Sequence, residues 1–183
     1  MVYAVVIFLQ GNRKIEDIRK KYDPRYKNIP AHITLVFPFS EGNISRIKLI
    51  DHIQKISKKT NPFSVKTGEI IIASDHALLL VVTKGKKEIT KLHDRLYSDF
   101  LSEQLNQKFK YIPHITLGLF SNRKEAQKIQ RKMVIEKIKF KVKNINLLQL
   151  NTNKQFIQTG ISKIIWSKDI FLNFPSRSRQ SLK

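Results

Sequence analysis

Two imidazole–hydroxyl pairs in this chain have the makings of one chemical site. The tetrapeptide His-Ile-Thr-Leu occurs at residues 32–35 and again at 114–117, 82 residues apart, approached each time through a proline (Ile29-Pro30-Ala31-His32 and Tyr111-Ile112-Pro113-His114). The chain has five histidines, and two of them share this four-residue setting. In a strand, residues i and i+2 share a face. His32 therefore projects with Thr34, and His114 with Thr116, while Ile33, Leu35, Phe37, Ile115, Leu117 and Leu119 turn the other way, into a core. Gly118 follows on the His114 face, where a missing side chain lets a ligand or a backbone come close. Val36 occupies the matching place in the first copy.

If the two strands face one ligand, they offer it two imidazoles and two hydroxyls. Imidazole titrates near neutral pH, so one copy can take a proton while the other gives one. Threonine hydroxyls can donate to the non-bridging oxygens of a phosphate as charge builds there. The set suits phosphoester chemistry in which one histidine deprotonates the attacking oxygen and the other protonates the leaving oxygen. It requires neither metal nor covalent intermediate. A lone His-x-Thr on a strand is ordinarily structural, and it is the duplication that favours a shared site. A metal site is the rival reading. It fits poorly because no Cys, Asp or Glu lies close in sequence to either copy, although ligands could come from elsewhere in the fold. No metal and no cofactor is assigned. The loop Tyr22-Asp23-Pro24-Arg25-Tyr26-Lys27 leads into the first copy, and from it Arg25 could reach a phosphate and Tyr26 could stack on a base, with a plain solvated loop as the alternative. Ser74-Asp75-His76 reads as a turn, and His52 and His93 as boundary residues on helices. Gly85-Lys86-Lys87 lacks the spacing of a phosphate-binding loop, so nothing points to ATP.

The elements that must position these groups follow from periodicity. Residues 2–9 read as a buried strand, 13–22 as a helix with Ile15 and Ile18 on one side, and the first His-Ile-Thr-Leu strand ends near Phe37-Pro38. A helix over 44–59 carries an apolar stripe of Ile44, Ile47, Leu49 or Ile50, Ile53 and Ile56, and a strand covers 63–73. The order then repeats: a strand over 76–83, a helix over 86–104, the second His-Ile-Thr-Leu strand over 113–120 and a helix over 123–133. Strands over 138–150 and 156–165 close the chain, joined by a polar turn at 151–154 and followed by a basic tail from Pro175 that reads as disordered. Only the tetrapeptide repeats closely. Helices between strands suggest parallel pairing, a two-lobed fold with antiparallel sheets is equally compatible, and periodicity does not choose.

The 183 residues suit one domain or two small halves sharing a core. Hydrophobic residues make up 41% and the mean hydropathy is -0.31, values that fit a soluble chain with a core. No apolar run is long enough to span a bilayer, and the apolar start reads as a strand and not as a signal peptide. With no cysteine there is neither disulfide nor thiol nucleophile, and a cytoplasmic address is expected. Thirty-five Lys and Arg against 14 Asp and Glu give +21. Such a field draws polyanions, with RNA, DNA or an anionic membrane surface as natural partners, unless the lysines merely reflect an AT-rich coding sequence.

The paired His-x-Thr-hydrophobic motifs, one per half of the chain, resemble those of the 2H phosphoesterase superfamily, which includes the RNA 2′,3′-cyclic phosphodiesterases and 2′-5′ RNA ligase-like proteins. Lys21-Tyr22-Asp23-Pro24 ahead of the first motif, and Tyr111-Ile112-Pro113-His114 leading into the second, look most like the bacterial YjcG-like branch. The resemblance implies an α/β fold of α+β type, bilobal and duplicated with pseudo-two-fold symmetry, with mainly antiparallel sheets lining a central cleft and helices outside. It implies one domain over 1–174, with lobes of about 1–73 and 74–174 between which strands can be exchanged, and a tail over 175–183. By position, His32 and His114 become the acid–base pair, and Thr34 and Thr116 hold the phosphoryl oxygens. Arg25, Tyr26 and Gly118 are the further substrate-binding candidates. The implied activity is metal-independent hydrolysis of 2′,3′-cyclic phosphates or 2′-5′ links. The expected partners are RNA or a nucleotide with a cyclic phosphate, and polymeric RNA over the basic surface; no membrane partner and a monomer are expected. The alternative from another class is a basic RNA-binding module that holds phosphate without turnover.

Overall fold

The apolar run at the N-terminus lacks alternation because both of its faces are covered. In the computed structural model, which describes residues 1–9, 11–40, 42, 44–150 and 156–163, this run is β1 (Val2–Phe8). Tyr3, Val5 and Ile7 face the main core, whereas Ala4, Val6 and Phe8 join Ile29 and Leu148 in a smaller cluster on the other face. The remaining elements are α1 (Arg13–Tyr22), β2 (His32–Ser40), α2 (Arg46–Lys58), β3 (Phe63–Ile72), β4 (Leu78–Lys84), α3 (Lys86–Leu96), β5 (His114–Gly118), α4 (Arg123–Lys132), β6 (Lys139–Val142), β7 (Asn144–Leu150) and β8 (Phe156–Lys163). The polar turn expected at 151–154 and the basic tail at 175–183 lie outside the described residues.

The strands form one sheet in the order β6-β3-β4-β5-β2-β1-β7-β8, with every neighbouring pair antiparallel. The two His-Ile-Thr-Leu strands, β2 and β5, meet at its centre. Outward from them β1 mirrors β4, β7 mirrors β3 and β8 mirrors β6, so an approximate two-fold axis passes between β2 and β5. Parallel pairing, the other arrangement compatible with the periodicity, does not occur among the described strands.

The sheet is curled. β6 and β7 stand six places apart in its order, about 29 Å on a flat sheet at ~4.8 Å per strand. Yet Lys143 alone separates Val142 from Asn144, a step that spans at most about 7 Å. The sheet must bend round until these strand ends meet. One continuous strand over 138–150 was expected, and this closure is why there are two: β6 adds to β3, and one residue later β7 adds to β1.

Helices cover the convex face. Side-chain oxygens of Asn12, Ser45 and Asn122 cap α1, α2 and α4 by accepting from the N–H groups of Ile15, Lys48 and Glu125. Gly85 opens α3 at φ 83, where a Cβ would lie 2.7 Å from the Ser64 carbonyl oxygen. The helix expected over 86–104 ends early, at Leu96. The His52 ring meets the Leu96 carbonyl at 3.1 Å, Tyr97 turns back so that its hydroxyl accepts the Phe37 N–H at 2.9 Å, and Asp99 takes φ 53 before a 3₁₀ turn over Asp99–Gln104. In α2 the buried stripe is Leu49, His52, Ile53 and Ile56. Ile47 sits roughly 200° round the helix from Leu49 and is 74% exposed, so it does not belong to the stripe. No helix among the described residues is long and apolar enough to cross a membrane.

Candidate active site

One ladder pair sets the site. β2 meets β5 at Ile33–Ile115. Both side chains are buried in the main core, so their sequence neighbours face the concave side of the sheet. Continuing the antiparallel register by one residue in each direction sets His32 beside Thr116, and Thr34 beside His114. The flanking strands extend the same two rows, since Phe8 pairs with His32 and Val6 with Thr34, while Leu79 pairs with Thr116 and Val81 with His114. Two imidazoles and two hydroxyls thus form a square at the middle of the cleft, each half contributing one of each. All four residues are partly buried, and neither threonine hydroxyl has a partner among the described residues.

Each imidazole is held by the carbonyl two residues before it. His32 Nδ1 lies 2.7 Å from the Pro30 oxygen, and His114 Nδ1 2.6 Å from the Ile112 oxygen. A carbonyl only accepts, so Nδ1 carries the hydrogen in both rings and Nε2 is left to exchange a proton with a ligand. The prolines occupy different places, Pro30 two residues before its histidine and Pro113 one, yet the accepting carbonyl is at the same offset.

Both rings favour the neutral form. Burial is the main cause at His32, with the positive charge of Arg19 and the nearness of His114 adding to it against the Pro30 hydrogen bond, and its pKa falls to about 4. Burial also lowers His114, opposed by its bond to Ile112 and by Asp75. An anion in the cleft would pull both back up.

Three polar residues hold β2 in place, His93 and Tyr97 buried and Tyr111 partly so, and sequence reasoning had given none of them this task. Tyr111 donates its hydroxyl to the Thr34 carbonyl at 2.6 Å, and its ring stacks on His93 at 3.7 Å between centroids and 3° between planes. His93 Nδ1–H donates to the Leu35 carbonyl at 2.8 Å, and Tyr97 takes the Phe37 N–H. These contacts fall where β2 bulges. Its register against β1 slips by one residue between the Val6–Thr34 and Val5–Val36 pairs, and again before Tyr3–Phe39, each time with the extra residue on β2. The first slip inverts the facing of Phe37, expected in the core and found 48% exposed, and the second restores it by Phe39. His93, expected at a boundary, is buried at 4%, and burial lowers its pKa.

Arg19 anchors the segment leading to His32. Its guanidinium, 1% exposed at residue level, donates to the Asp23 carboxylate at 2.8 and 3.1 Å, to Glu16 at 3.0 Å and to the Ile29 carbonyl at 2.8 Å. Glu16 in turn accepts the Ala31 N–H at 2.6 Å, and Asp23 the Arg25 N–H at 2.9 Å. The available signal was a charged residue four places after Ile15, on the helix stripe that Ile15 buries.

The other candidates separate. Tyr26 lines a cavity of about 630 Å³ together with Phe8, Arg13, Asp17, Pro30 and Gln158, beside His32 through Pro30 and Phe8. Arg25 is exposed, its backbone tied to Asp23, and is not among the cavity's lining residues. At Gly118, where a ligand or a backbone was expected to come close, the structure sets a backbone. A Cβ there would lie 2.7 Å from Tyr22 Cβ and 3.0 Å from the Tyr22 carbonyl, which already accepts the Leu119 N–H, so the end of α1 fills the space. Ser74, Asp75 and His76 form the turn between β3 and β4. Among the described residues, no three His, Cys, Asp or Glu side chains gather as a metal site.

Residues 9–154 match the family model of the 2'-5' RNA ligase superfamily. The chain belongs to that superfamily. It is an enzyme of the 2H phosphoesterase type. Among curated relatives, a Bacillus cereus protein named "Putative phosphoesterase" is 30% identical over 123 residues, covering 64% of this chain and 69% of the relative. A Bacillus thuringiensis protein of the same name is 29% identical over 123 residues, with the same coverage. Solved structures share the superfamily's fold. A Thermus thermophilus protein superposes with TM-score 0.60 at 12% identity, over 90% of this chain and 98% of that one. Escherichia coli LigT, crystallised with 3'-AMP, gives TM-score 0.57 at 13% identity, again over 90% and 98%.

Proposed function

We propose that this chain opens 2′,3′-cyclic phosphates on RNA ends or nucleotides by metal-independent acid–base catalysis between His32 and His114. The observation that carries the reading is the Ile33–Ile115 register, which interleaves the two His-x-Thr pairs on one concave face. In the ring-opening direction His32, the imidazole held lower, is the base: its Nε2 takes a proton from water as the water oxygen attacks phosphorus. The bond from phosphorus to one ribose oxygen breaks, and His114 Nε2–H protonates that oxygen. Thr34 and Thr116 donate to the two non-bridging oxygens, where negative charge builds in the transition state. The phosphate's own charge supplies the proton affinity that His114 lacks in the empty cleft. Tyr26, with Phe8 and Pro30, offers an aromatic and apolar wall for the base next to His32. LigT complexes with 3'-AMP and with NADP+ support a nucleotide as the ligand class.

The test is turnover of an RNA oligonucleotide ending in a 2′,3′-cyclic phosphate, in excess EDTA, by wild type and by His32→Ala and His114→Ala. Each change is expected to cost about 10²–10⁴ in rate. Full activity in either variant would end the proposal. The net charge of +21 favours a second reading, an RNA-binding module that holds phosphate without turnover. It requires RNA affinity that survives loss of both histidines and yields no product.

A further inference from the structure

The second half of the cleft carries a row of like charges that no carboxylate among the described residues pairs with. On β3, Lys66 is the ladder partner of Lys139 on edge strand β6, and also of Lys84 on β4. Its neighbours Val65 and Thr67 are buried at 1% and 0%, so Lys66 projects to the opposite face, the concave one that carries His114 and Thr116. Lys84 and Lys139 are exposed and Lys66 partly so. Among the described residues none of the three ammonium groups is paired with a carboxylate. Glu69, three residues further along β3, is the acidic group nearest in the strand.

Like charges directly opposite one another destabilise a sheet, and here the opposition runs across three adjacent strands. A repeating anion laid over the row would relieve it. The row also lies at a useful distance from the chemistry. Lys84 is three residues beyond Val81, the partner of His114, or about 10 Å along the strand, and Lys139 lies about 10 Å further across two strands. That places the three charges on the order of two to three nucleotides from the reacting phosphate.

We infer that Lys84, Lys66 and Lys139 form a track for the phosphates of single-stranded RNA whose cyclic-phosphate end sits between His32 and His114. The substrate is then polymeric RNA, and a mononucleotide engages only the histidine end. This inference rests on the proposed phosphoesterase activity for its starting point. It does not involve the Tyr26 cavity, which receives the terminal base.

The experiment compares 2′,3′-cyclic AMP with an eight-nucleotide RNA bearing a 2′,3′-cyclic phosphate, using wild type and the variant Lys66→Gln/Lys84→Gln/Lys139→Gln. Three phosphate contacts predict a log–log salt slope near −2 for the oligonucleotide, about 20-fold weaker KM between 50 and 200 mM salt. The triple variant should lose that dependence and raise KM for the RNA about 10-fold or more, with kcat for the RNA and all constants for cyclic AMP unchanged. Lys139→Gln alone, on an exposed edge, should remove about a third of the slope. Equal KM for RNA and mononucleotide in wild type, or an unchanged RNA slope in the variants, would overturn the track. Turnover of neither substrate would count against the phosphoesterase reading instead. Fluorescence anisotropy of a labelled RNA octamer with the same proteins would still decide the track, upheld by variant-sensitive, salt-dependent binding and overturned by equal binding.

Discussion

Replacing Tyr111 by Phe takes one oxygen out of the seam between the two halves and leaves the ring stacked on His93. The lost group is the hydroxyl that donates to the Thr34 carbonyl at 2.6 Å. β2 and β5 share the single ladder pair Ile33–Ile115, so this hydroxyl is the next tie across the seam, and its loss leaves the carbonyl short of a donor on the β5 side. A net hydrogen bond contributes about 0.5–1.5 kcal/mol, and a buried acceptor left unmatched costs about 1–3. The partly buried seat sets the expected loss near 1–2 kcal/mol. For a chain of this length that is a fall in Tm of about 2–8 °C, measured by calorimetry. Thr34 stands beside His114, so a loosened strand also misplaces the hydroxyl proposed to hold the phosphate. kcat should fall about 3–30-fold with KM within about twofold, less than the ~10²-fold that a full ångström of misplacement can cost. Burial pushes the Tyr111 hydroxyl far above its usual pKa, so it remains a donor and the deficit should not vary between pH 5 and 9. A variant with wild-type Tm and wild-type kcat would refute the claim that this hydroxyl holds the site together.

In the proposed mechanism the base must be neutral and the acid protonated, so kcat/KM should trace a bell with its acid limb near pH 4 and its alkaline limb below 6.5. An acid limb at 6.5 or above would contradict the assignment, whereas kcat itself should shift alkaline because bound phosphate raises both groups. Gly118→Ala drives a Cβ against Tyr22 backbone and side chain and should cost about 1–3 kcal/mol in urea denaturation; a neutral result would mean that the end of α1 yields easily. Arg19→Met strands the Asp23 carboxylate, whose side chain is 3% exposed, and should cost about 3–5 kcal/mol. Adding Asp23→Asn should restore part of that loss, and no restoration would show that the arginine acts mainly by filling space.

Much of the fold could be read locally because the local patterns are strong. The helices expected over 13–22, 44–59 and 123–133 lie within two residues of α1, α2 and α4, and the start expected for α3 is where it begins. The errors share a cause. Phe37 leaves the core because the bulge ahead of it reverses its facing, the 86–104 helix breaks because Tyr97 is drawn back to β2, and the 138–150 strand divides because its halves add to different strands, β3 and β1. Each is imposed by a partner remote in sequence, and a local period carries no trace of it.

The sequence by itself determined which groups are the candidates for the chemistry. Alternation puts His32 with Thr34 and His114 with Thr116 on one side of their strands, in any fold that keeps each copy as an unbulged strand. Only the tertiary structure decided how the copies meet: antiparallel, in a register that sets each histidine beside the other copy's threonine, with the Nδ1 hydrogens fixed by the Pro30 and Ile112 carbonyls. It also decided that Gly118 serves α1, and that Arg19, His93 and Tyr111 serve the site. The physical reason is that face is a property of one strand, whereas register and burial are properties of pairs, and a pair exists only once the chain has brought its distant members together.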